Sequence, residues 1–82
     1  MVTLTDRARD ALLVSLAAAR RFDPDTHLRV VRRDGSVRAV FVEAPDPADQ
    51  VVDLGGASIG FEPGIEGTLD AGEHNELTVV AP

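Results

Sequence analysis

The chain has 82 residues, 44% of them hydrophobic and 27% charged, with a formal net charge of −6 and no cysteine. That length predicts one domain with a thin core, because so short a chain buries only about 60–65% of its unfolded surface. Zero cysteine excludes a disulfide framework, a thiolate zinc site, a thiol nucleophile and a cysteine-ligated iron–sulfur cluster.

Val2-Thr3-Leu4-Thr5 reads as a short extended lead-in to a helix over residues about 5–21. Thr5 caps that helix with its hydroxyl, and Asp6 places an acid in the first turn, where the macrodipole favours it. Ala8, Leu12, Leu16 and Ala19 recur at helical spacing, and Pro24 forces Asp23 out of the helical region and stops the run. Residues 28–33 and 36–43 form a predicted β-hairpin around Asp34-Gly35, a type I′ turn signal because both central residues need positive φ. That register pairs Arg32 with Val37, Val30 with Ala39 and Leu28 with Phe41 on one largely apolar face. Arg29, Arg33 and Arg38 then share the opposite, exposed face with Val31 and Val40.

Ala44-Pro45-Asp46-Pro47-Ala48-Asp49 is a loop, since two prolines so close leave no room for a ladder. Residues 51–54 and 57–62 are predicted strands around Gly55-Gly56, and Gly60 inside the second signals a bulge or a close backbone approach. Residues 63–71 read as irregular, with Ile65 and Leu69 as inward anchors. A closing strand is expected over 76–81. The fold class expected is α+β: one domain over residues 1–82, with one N-terminal helix packed on antiparallel or mixed short-stranded sheets.

Charge is unevenly placed. All eight basic residues are arginines at or before Arg38, so residues 1–38 sum to +3 and the remainder to −9. A uniformly acidic second half argues against a nucleic-acid groove there, since phosphates are repelled. The apolar stretch at residues 11–19 follows a charged, capped turn and is too short to span a bilayer. A cytoplasmic protein without membrane or nucleic-acid partners is the expectation.

The opening Val2-Thr3-Leu4-Thr5-Asp6-Arg7-Ala8 resembles the start of the A-type iron–sulfur carrier family, also called HesB/IscA-like, with its I-x-L-[ST]-x-x-A before the first helix. The proline loop leading into Gln50-Val51-Val52 is similar to that family's loop before a valine-rich strand. Gly56, Ile59, Pro63, Leu69 and Asp70 follow at spacings like its G-x-x-[IV]-x-x-[DN]-P…L-D pattern. The resemblance implies a compact α+β domain, associated in relatives with carrying iron or an iron–sulfur cluster on three cysteines. Here the first cysteine's loop corresponds to Asp34-Gly35-Ser36, and a neutral Ser36 hydroxyl is a poor iron ligand beside a thiolate. The C-x-C pair would follow the last strand, where the sequence ends at Val80-Ala81-Pro82. The resemblance therefore implies a family scaffold without cluster chemistry and without a cofactor.

Two candidate sites remain. Glu73-His74-Asn75-Glu76 is the richest polar cluster, and His74 with Glu73 or Glu76 is an alternative divalent-metal site built on carboxylate and imidazole. Asp46, Asp49 and Asp53 resemble a calcium-loop spacing only loosely and read as solvated loop acids. No serine has a nucleophile-elbow setting, so no catalytic residue is assigned. Arg29, Arg33 and Arg38 form the candidate protein interface, for an acidic partner or a second copy. The expected function is a non-catalytic accessory or interaction module linked to iron–sulfur assembly.

Overall fold

The computed structural model describes residues 2–74 and 76–80. In chain order the elements are β1 (Val2–Leu4), α1 (Asp6–Arg20), β2 (His27–Arg33), β3 (Ser36–Val42), β4 (Gln50–Asp53), β5 (Ser58–Phe61), β6 (Gly67–Ala71) and β7 (Leu77–Val80). They build a small α+β fold with one helix and two mixed sheets, ordered β1-β6-β7 and β3-β2-β5-β4.

The helix forms as its sequence dictates. Thr5 is its N-cap, with the hydroxyl accepting the Ala8 amide at 3.1 Å. The same hydroxyl donates to Asp70 Oδ1 at 2.7 Å, so the cap also ties the helix start to β6. Ala8, Leu12 and Leu16 point inward and are buried.

The first hairpin keeps the expected register, with Arg32 beside Val37, Val30 beside Ala39 and Leu28 beside Phe41. Asp34 and Gly35 take positive φ (54° and 79°), as a type I′ turn requires. Leu28 and Val30 are buried in the core, whereas Phe41, on the outer strand of the pair, stays 54% exposed. An edge position leaves one flank without a neighbour to cover the ring. Val52, Ile59 and Phe61 extend the core face, and Leu54, Ile65, Leu69, Ala71 and Val2 complete the cluster.

Residues 50–53 and 58–61 form the second antiparallel hairpin. Both sheets also hold a parallel pair: Arg29 and Val30 lie beside Gly60 and Phe61, and residues 2–4 beside 67–69.

Two strands depart from expectation. The lead-in at residues 2–4 is a true strand, and residues 67–71, expected to be irregular, are its central partner. Ile65 and Leu69 are the anchors expected, at 1% and 0% exposure. The buried side of β6 is Gly67, Leu69 and Ala71, too small a set to register as an apolar alternation. Gly67 holds φ at 107°, and a Cβ there would collide with the Val80 carbonyl. The closing strand ends, among the described residues, at Val80; its expected extension to residue 81 lies outside them.

Candidate functional site

The connection from β3 to β4 positions the main candidate site. Both strands run opposite to β2 and β5, which lie between them, so residues 43–49 must cross the sheet. They cross on the face away from the core, where Arg29 waits. Asp46 and its two flanking prolines stiffen this strap, and Asp46 accepts the Ala48 amide at 2.9 Å.

Asp49 is the anchor. Arg29 donates to it twice, Nε to Oδ2 at 2.6 Å and Nη2 to Oδ1 at 2.7 Å. The Asp49 side chain is 1% exposed and that of Arg29 17%. Asp46 Oδ2 stands 3.6 Å from the same guanidinium. The hydrogen bond that Arg29 donates to Asp49, against some burial, raises the Arg29 pKa above its ordinary value. Planar, two-pronged pairing is what a guanidinium does best.

Room for Asp49 comes from Gly60, the cross-strand neighbour of Arg29. A Cβ at Gly60 would sit 2.6 Å from Asp49 Oδ2 and 3.2 Å from Asp49 Cβ. Of the two readings of this glycine, close approach is the one found, and a carboxylate makes it. Asp49 is correspondingly not the solvated loop acid expected. Asp53 does cap a turn, accepting the Gly55 amide at 2.8 Å.

Beneath the strap lies a cleft of about 260 Å³. Its lining includes Arg20, His27, Pro45, Val51 and Ser58. It sits where the parallel pairing of β2 and β5 gives out, below Arg29 and Gly60.

The arginine face is only partly free. Arg29 is committed to Asp49, and Arg33 Nη1 donates to Glu62 Oε2 at 3.0 Å. That bond from Arg33, helped by the Arg32 amide, holds the Glu62 carboxyl below its usual range. Arg38 forms no ion pair among the described residues. The expected exposed trio is thus two exposed arginines, Arg33 and Arg38, and one half-sunk structural one. Val31, between them on this face, is buried at 2% exposure.

At the other end, residues 72–76 join β6 to β7. Glu76 turns its carboxylate back to accept the His74 amide at 2.9 Å, and its carbonyl accepts the Gly72 amide at 2.9 Å. The metal candidates Glu73 and His74 are exposed beside it, while Asn75 lies outside the described residues. Among the described residues, no three imidazole or carboxylate groups converge as a metal site would require. Nor is any helix among them long and apolar enough to cross a membrane.

Compared with protein-family models and with curated proteins, the chain matches none. The residues themselves must carry the functional reading. Sequence reasoning missed the role of Asp49 and the cleft under the strap. The available signal was the pairing of a lone strand glycine, Gly60, with a proline-stiffened acidic crossing.

Proposed function

We propose that this chain is a non-catalytic interaction module on a HesB/IscA-like scaffold, and that its working surface is the outer strand β3. One observation carries the reading. Among the described residues β3 is a seven-residue strand hydrogen-bonded to β2 alone, with β7 packed beside it, and it bears a 54% exposed phenylalanine, Phe41, and Arg38, which forms no ion pair there. Such edges recruit other chains unless they are blunted, and aromatics with arginine are the side chains that dominate protein interfaces. The preferred partner is an acidic protein segment with an apolar residue for Phe41, or the acidic half of a second copy.

The absence of cysteine removes the thiolate ligands that cluster transfer uses in the family this sequence resembles. Anaerobic reconstitution with iron and sulfide is expected to leave no stable cluster chromophore on the protein; one that survives desalting overturns the reading. A photo-crosslinker at position 40 recovers the partner, which is then purified and titrated calorimetrically. Arg38→Glu with Phe41→Ser is expected to weaken that binding about tenfold or more. Unchanged affinity would remove β3 as the surface. Light scattering of the pure chain across concentration distinguishes self-association from a second protein.

A further inference from the structure

Beside its buried stripe of Ala8, Leu12 and Leu16, α1 carries a second apolar face in the open. Ala11, Val14, Ala18 and Phe22 recur along it at i, i+3, i+7 and i+11, the spacing of one helix face. Phe22 lies past the last helical residue yet keeps the helical phase, because Arg21 stays right-handed and the Asp23 amide donates to the Ala19 carbonyl at 3.1 Å. Val14 is 69% exposed and Phe22 92%. About three turns before Phe22, a notch of about 260 Å³ opens between Arg7, Asp10, Ala11 and Val14. None of Arg7, Asp10 and Arg21 takes part in an ion pair among the described residues.

From this juxtaposition we propose that this face is a two-fold contact with a second copy of the chain, the two helices antiparallel and Phe22 of each seated in the notch of the other. The face is complementary to itself in that orientation. An antiparallel pairing that sets Phe22 over the notch also sets the small Ala18 opposite Val14, and Arg21 beside Asp10, of the second copy. The two-fold then repeats every contact. A parallel pairing instead sets Arg7 against Arg7 and Asp10 against Asp10, and leaves both notches empty. The charges therefore select both the second copy and its direction, and opposed helix dipoles add to the preference. One helix face is a small contact, under about 1,200 Å² in all, so the dimer is a weak one. It is built on α1 and is independent of the β3 surface.

The test is sedimentation equilibrium of the full chain at concentrations up to about 1 mM. A monomer–dimer equilibrium is expected. Phe22→Ser, at a side chain with almost no packing to lose, should raise the dissociation constant about tenfold or more. Asp10→Arg and Arg21→Asp should each weaken self-association alone, because each sets like charges together. An equimolar mixture of the two should form the dimer again, since every facing pair is then opposite in sign. Arg38→Glu with Phe41→Ser should leave the equilibrium unchanged. Four results overturn the inference: a wild-type chain that stays monomeric throughout, a dimer that Phe22→Ser leaves intact, a mixture no more associated than its components, or a dimer lost through the β3 substitutions.

Discussion

Two glycines in this molecule have a carboxylate where a side chain would otherwise stand, and they differ in what holds that carboxylate. At Gly60 the intruder is Asp49, pinned by two bonds from Arg29 and 1% exposed. At Gly72 it is Glu76, an exposed side chain folded back on its own turn. The contacts look alike as geometry and are unlike as energetics. One carboxylate joins the crossing strap to the centre of the sheet and cannot move without stranding a charge. The other can swing into water at the cost of one hydrogen bond to an exposed amide.

The largest effect separating the two regions is expected from Arg29→Met. It leaves Asp49 nearly buried with neither charge partner nor donor, the situation in which breaking a buried pair is most damaging. The urea midpoint should drop further than for any substitution below, and the Ala48 and Asp49 amides of the strap should exchange faster. A midpoint within error of wild type would mean that the strap is held by something other than this pair.

Gly60→Ala sharpens the same point. Forcing a methyl group against a pinned carboxylate is overpacking, with a cost of about 1–3 kcal/mol by urea unfolding. The diagnostic is the double-mutant cycle. With Asp49→Ala already made, the additional cost of Gly60→Ala should shrink markedly, because the carboxylate at 2.6 Å is gone and only the Cβ at 3.2 Å remains. Additive costs would place the strain in the β5 backbone instead.

Thr5→Val tests a third joint, between the helix cap and β6. Thr5 donates to Asp70, and this bond, with the Ala71 amide, lowers the Asp70 pKa despite partial burial. A lowered folded-state value means that the stabilisation is complete above the unfolded-state pKa, near about 4, and is lost as pH falls through the folded value. The variant should lose about 1 kcal/mol near neutrality through the cap. The pH sensitivity of its stability below about pH 4 should also be shallower than wild type. Equal acid sensitivity in the two proteins would detach Asp70 from Thr5.

How much of this was legible in the sequence depended on whether the signal was local. The helix, its threonine cap and the Asp34-Gly35 turn are decided by residues within a few positions of each other, and they formed as expected. The register of the first hairpin followed from that turn. Strand β6 was not legible, because its buried positions include Gly67 and Ala71, whose burial depends on what packs over them and not on their own size. Asp49 was not legible either. Its acid looks like any loop acid until the chain order makes the loop cross above Arg29, 20 residues away in sequence. Gly60 marked the spot but could not name the visitor. Likewise the arginines 29, 33 and 38 were placed on one face correctly by alternation, while their pairing with Asp49 and Glu62 is tertiary information.

The smallest effect is expected at Gly72, and it is the one that completes the comparison. A methyl group there overlaps the Glu76 carboxylate on paper more severely than Gly60 overlaps Asp49. Yet the overlapping atoms are the far end of a flexible, exposed side chain whose one side-chain bond among the described residues is to the His74 amide, itself in an exposed residue. The carboxylate can rotate outward and let water take the amide, so Gly72→Ala should change stability by no more than about 0.5 kcal/mol. Glu76→Gln should be equally mild, since an amide oxygen still accepts from His74. If Gly72→Ala instead costs as much as Gly60→Ala, the turn at residues 72–76 is built as rigidly as the strap. The contrast between a pinned and a swinging carboxylate would then fail.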